Sequence, residues 1–178
     1  LPRDQFDVLA LARRWIRRRQ VRRLVRQGFD PFGNMQPAAQ AEASSPPDPR
    51  VIELRDQIAA AIDRDDLPAA AAMYLKLRKI DPKQSLPRGA PLDVANQLAY
   101  QQDHLHAADA YEQFLGVYPN YEQVEQVQLM LGLIYGRYLG RPDRAREHLN
   151  RALARLHRER EVGMARAELS RLGTPASA

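Results

Sequence analysis

From Arg50 to Gly173 apolar residues recur every three or four positions, and proline, glycine and aspartate fall between the runs. No two-residue alternation interrupts them. That spacing predicts helices and no strands. The runs group in pairs. The first pair covers 50–64 and 67–80, broken at "DRDD". The second covers 91–103 and 106–118, broken at "DHL". The third covers 121–139 and 143–157, broken at "GRPD". A last run, 158–172, stops at Gly173, with Val162, Ala165, Leu169 and Leu172 expected to turn inward.

The second helices of the first two pairs superpose. Ala70, Tyr74, Leu77 and Pro82 match Ala107, Tyr111, Phe114 and Pro119 at a constant offset of 37 residues. Self-similarity near this period points to stacked helical hairpins. The third pair adds Leu131, Gly132 and Tyr135, followed by Ala145, Ala152 and Leu153. Together these positions resemble the tetratricopeptide repeat over residues 50 to about 157. The family's closing proline is missing from the third pair, and its Leu-Gly from the first. The resemblance implies an all-α fold: a short right-handed α-solenoid of about three repeats (about 50–84, 88–120 and 121–157) with a C-terminal cap at 158–172. Residues 174–178 form a tail.

Three glycines at a spacing of four, Gly132, Gly136 and Gly140, cost helix propensity of roughly 1 kcal/mol each against alanine. Close crossing of the paired helices, with Gly132 against Ala145, accounts for the first. A helix stop before Pro142 accounts for the third. Gly136 has no such explanation in the sequence. The membrane-dimer reading of G-x-x-x-G needs an apolar 20-mer, which Gln126, Gln128, Arg137 and Arg141 deny.

The net charge of +5 is unevenly placed. Residues 1–28 carry nine arginines against Asp4 and Asp7, a surplus of seven, which leaves 18 basic and 20 acidic residues for the remainder. Residues 1–32 therefore read as a basic helix ending at "GFDPFG". Residues 33–49, rich in Pro, Ala, Ser and Gln, read as a flexible linker. Arg13, Arg14, Arg17, Arg18, Arg19, Arg22, Arg23 and Arg26 surround Trp15 and several aliphatic residues. This mixture suits the cytoplasmic surface of an anionic membrane. Contact with nucleic-acid phosphates is the lesser alternative, because the arginines point nearly all round a helix. Packing of Trp15 and its neighbours on the repeat body is the structural alternative. The order of arginine-rich segment, "GFDPFG", Pro-rich linker and paired helices is similar to the cytosolic C-terminal extension of some bacterial rhomboid-type intramembrane serine proteases. That resemblance implies location and attachment only, since the protease serine and histidine motifs are not in these residues. A chain starting at Leu1 is expected to be a fragment or a processed product.

The absence of cysteine removes disulfides, thiol nucleophiles and Cys-based zinc sites, and fits a reducing, cytoplasmic setting. His104 and His106 have only Asp103 and Asp109 near them in sequence, so they read as turn residues rather than metal ligands. No serine (44, 45, 85, 170, 177) sits in a G-x-S-x-G elbow, and no phosphate loop is present. No catalysis, cofactor or metal is therefore expected. The expected function is a protein-interaction scaffold taking an extended peptide or partner helix on the face of its first helices. The repeat pattern places Arg55, Ala59, Ile62, Asn96, Tyr100, Leu133 and Arg137 on that face. Arg55, Asn96, Tyr100 and Arg137 are the candidate contacts, Tyr and Arg being types favoured in binding hot spots.

Overall fold

The computed structural model describes residues 48–82, 84, 86 and 90–173. The basic helix, most of the linker and the tail lie outside these residues, as do Trp15 and all the arginines from Arg13 to Arg26. The described residues form seven α-helices and no strand: α1 (Pro49–Asp63), α2 (Leu67–Ile80), α3 (Ala90–Tyr100), α4 (His104–Val117), α5 (Val124–Arg137), α6 (Pro142–Leu153) and α7 (Glu159–Gly173). The most extensive contacts join α1 to α2, α3 to α4 and α5 to α6. Lesser ones join α1 to α3, α2 to α3, α4 to α5, and α7 to both α5 and α6.

The residues that repeat in the sequence are the ones that fill the core. Ala70, Tyr74 and Leu77 of α2, Ala107, Tyr111 and Phe114 of α4, and Ala145, Leu149 and Ala152 of α6 are all buried. Burial of such side chains is worth roughly 1.5–3 kcal/mol each for the larger ones, so the 37-residue spacing is maintained by packing. The tyrosine hydroxyls are satisfied across elements. Tyr111 donates to Asn96 Oδ1 at 2.7 Å, and Tyr74 to Gln113 Oε1 at 3.3 Å. Burial pushes the Tyr74 phenol up to about 12 and the Tyr111 phenol higher still.

The turns repeat as closely as the helices. In the first, Asp65 has φ 67°; in the second, Gln102 has φ 65°; in the third, Gly140 has φ 60°. Each left-handed residue turns the chain sharply between paired helices. Asp66 and Asp103 then accept from the backbone N–H of Ala69 and His106, capping the next helix. The closing backbone bonds are Asp66 N–H to the Ala61 carbonyl and Asp103 N–H to that of Leu98. In the third turn the bond runs from Arg141 N–H to the Tyr135 carbonyl, one residue wider. The offset accordingly changes from 37 to 38 between the end of α5 and the start of α6.

Helix bounds depart from the sequence expectation by three residues or more at three places. α3 stops at Tyr100 rather than residue 103, because Gln102 is left-handed and Asp103 caps α4. α5 starts at Val124 rather than 121, after hydrogen-bonded turns in which Tyr121 N–H reaches the Tyr118 carbonyl and Val124 N–H that of Tyr121. α6 ends at Leu153 rather than 157, where Ala154 and Arg155 turn the chain and Leu156 tucks into the core.

The glycine contacts also differ. A Cβ on Gly132 would lie 2.5 Å from Leu149 Cγ and 3.2 Å from the Leu149 backbone nitrogen. The close crossing is thus made with Leu149, and Ala145 instead faces Gly136 at 3.4 Å. Gly136 is explained by Glu168, whose Oε1 would stand 2.7 Å from an added Cβ. In α7, Ala165 is fully buried as expected, together with Met164, Glu161 and Glu168. Val162, Leu169 and Leu172 pack against the core partly buried.

Three glycine-to-alanine substitutions are expected to diverge in thermal unfolding. Gly163→Ala, whose Cβ meets nothing within 4 Å, stabilises by about 1 kcal/mol through helix propensity. Gly132→Ala destabilises by about 1–3 kcal/mol through overpacking. Gly140→Ala destabilises by about 1–2 kcal/mol through left-handed strain. Equal shifts for Gly132 and Gly163 would remove the crossing argument.

Candidate partner-binding surface

The four expected contact residues have different fates. Tyr100 ends α3 at 41% exposure, and Arg55 is partly exposed on α1, which packs on α3. Ala59 and Ile62 are partly buried beside it. Asn96 requires correction. It is 4% exposed, and its amide oxygen accepts from Tyr111, so it braces the second pair instead of meeting a partner. Leu133 is likewise fully buried.

Arg137 is partly buried and already engaged within the fold. Its Nε donates to Glu168 Oε2 at 2.8 Å. Glu168 sits at 1% exposure and is also held by Arg171, which further donates to the Gly136 carbonyl at 2.6 Å. Burial alone would raise the Glu168 carboxyl. The hydrogen bonds and charges of Arg171 and Arg137 outweigh it and hold the group below the usual carboxylate range. Gly136 leaves room for this carboxylate, and the cluster fastens α7 to α5.

A concave feature lies apart from the surface expected from the sequence. Between α4, α5 and α6 lies a cleft of about 320 Å³, lined by Glu112, Leu115, Gly116, Pro119, Val124, Gln128, His148 and Arg151. Its floor is a polar network. His148, 6% exposed, places Nδ1 2.6 Å from Gln128 Oε1 and Nε2 3.4 Å from Glu112 Oε1. Its ring stacks on Tyr135 with centroids 5.6 Å apart. The Tyr135 hydroxyl donates to Glu112 at 2.7 Å and accepts from Arg144 Nη1 at 2.9 Å. Neutral imidazole has one N–H and donates to one of its two oxygen neighbours; the imidazolium donates to both. Burial nevertheless lowers the His148 pKa, with Glu112 and Glu147 opposing. The one hint in the sequence is that His148 falls on the stripe of Ala145, Leu149 and Ala152 that α6 turns inward.

His104 and His106 do not share a ligand. His104 stacks on Tyr138 at 3.7 Å, and His106 Nδ1 is 2.8 Å from Asp103 Oδ1. Among the described residues no group of three or more His, Cys, Asp or Glu side chains is arranged to hold a metal, and no helix is long and apolar enough to cross a membrane. The chain matches no family model, no curated protein and no solved structure.

The lowered pKa of His148 fixes the sign of its pH effect. The fold favours the neutral ring, so this contribution is complete above the ordinary imidazole value. It is lost as pH falls from that value through the lowered one, because the unfolded chain takes up the proton first. Thermal unfolding between pH 7.5 and 5 is expected to show a larger loss for the wild type than for His148→Gln. Parallel curves would remove the assignment. Glu168→Ala leaves Arg137 without its buried partner, and is expected to cost about 3 kcal/mol by denaturant titration.

Proposed function

We propose that the chain is a tetratricopeptide-type helical repeat module, a short right-handed solenoid that binds a protein segment and performs no chemistry itself. The observation that carries this reading is the recurrence of a left-handed turn residue between paired helices, at Asp65, Gln102 and Gly140, the third turn being one residue wider. Three pairs with like turns and like buried positions form an array in which each unit packs on its neighbours. About three such units is the usual minimum for stability. Arrays of this kind act by the surface they display, and here the first-helix side carries Arg55 and Tyr100. Tyr100 offers an aromatic ring at low conformational cost, and Arg55 a planar set of donors. The partner is an extended peptide or a helix with an apolar residue for Tyr100 and a carboxylate or carbonyl for Arg55.

A photo-crosslinking side chain at position 100 tests the proposal against the same group at Arg166, which is exposed on α7. Crosslinked protein is expected from position 100 and not from 166. Tyr100→Ala is expected to weaken binding of the captured partner by about 2 kcal/mol in calorimetry. Equal labelling from both positions would sink the reading.

A further inference from the structure

The two ends of the described helices are finished differently. At the C-terminal end α7 lies on α5 and α6, and its buried carboxylate is fully paired. At the N-terminal end α1 buries Val51, Ile58 and Ala61 inward, but carries a second stripe on its outer side. Pro49, Ile52, Glu53, Asp56, Gln57 and Ala60 line an open cleft of about 600 Å³ along it. These positions are spaced three and four apart, so they form one line along the helix. Ile52 is 47% exposed there. Among the described residues neither Glu53 nor Asp56 has an ion-pair partner; Glu53 only accepts from Gln57 Nε2 at 3.0 Å. The terminal units of a helical array need a polar outer face or a cover, and this stripe is an apolar strip edged with carboxylates.

We propose that residues 13–26 of the same chain dock on this outer stripe of α1 and close the N-terminal end of the array. The segment supplies Trp15, Ile16, Val21, Leu24 and Val25 for the apolar strip, and eight arginines for the carboxylates. Its charge is complementary to residues 50–66, where Glu53, Asp56, Asp63, Asp65 and Asp66 outnumber Arg50, Arg55 and Arg64. Its reach suffices as well. The connection from Gln27 to Asp48 has a root-mean-square span of roughly 25 Å if it behaves as a flexible chain. The stripe itself, from Pro49 to Ala60, is about 17 Å long at the rise of an α-helix. Tethering at this distance gives an effective concentration of the order of millimolar, so modest contacts are enough. The proposal stands apart from peptide binding at Arg55 and Tyr100, and either can fail without the other.

Trp15 is the single tryptophan of the chain and reports directly on docking. In the full chain its emission is expected to be blue-shifted and shielded from acrylamide, independently of protein concentration. In Glu53→Lys/Asp56→Lys it is expected to become solvent-like, while the circular-dichroism spectrum stays helical and the melt stays cooperative, lowered only by the lost docking, because both side chains are exposed. Four results would overturn the proposal: solvent-like emission in the wild type, shielding unchanged in the double variant, shielding lost on dilution (a second copy as the occupant), and shielding that appears only with phosphatidylserine vesicles.

Discussion

Each pair of helices is held by the side chains buried between its two members, and most other features of the fold follow from it. In the third pair the approach is tight enough that a single methyl on Gly132 would collide with Leu149. By the 37-residue register Ala95 stands at the same place in the second pair and Ile58 in the first, so the residue at the crossing grows from the third pair back to the first. Two consecutive helices packed against each other need a turn that reverses the chain at once. That demand puts Asp65 and Gln102 into a conformation glycine would occupy at less cost. The strain of about 1–2 kcal/mol at each is tolerated because the core residues on either side cannot all be buried without it.

Polar groups do two kinds of work around this core. Asn96 with Tyr111, and Gln113 with Tyr74, satisfy hydroxyls that packing has carried inside; leaving such a group unpaired would cost roughly 1–3 kcal/mol. Glu168 with Arg137 and Arg171 attaches the last helix through charge. Around His148 the two functions merge, since Glu112 of α4, Gln128 and Tyr135 of α5 and Arg144 of α6 meet at one carboxylate and one imidazole. The same network that joins the second and third pairs also lines the cleft between them.

The helices and the residues repeated between them were legible because burial writes its own period into the sequence. Ala70, Tyr74 and Leu77 recur as Ala107, Tyr111 and Phe114 for the same reason that they are all inside. The breaks between paired helices were legible at all three places, but their left-handed geometry only at Gly140, where a glycine announces it; Asp65 and Gln102 conceal the same geometry behind ordinary side chains. The candidate surface was legible in part. Arg55 and Tyr100 remain at the surface, but Asn96 and Arg137 are held by partners 15 and 31 residues away. No local pattern foretells a bond of that span. The His148 cleft was hidden for the same reason, because Glu112 belongs to a different helix and no spacing links the two.

The widened third turn shows where the length of this chain is negotiable. Between Tyr135 and Arg141 one more residue is accommodated than at the corresponding places before it, and the helices on both sides keep their faces to the core. Leu139 still packs on the core, but Gly140 is exposed and a Cβ there meets nothing within 4 Å, so what is added at that tip stays outside the packing that defines the pair. An affinity loop, a protease cleavage sequence or a fluorescent graft placed at Gly140 would therefore be carried by the fold as cargo, without shifting the register of α5 against α6.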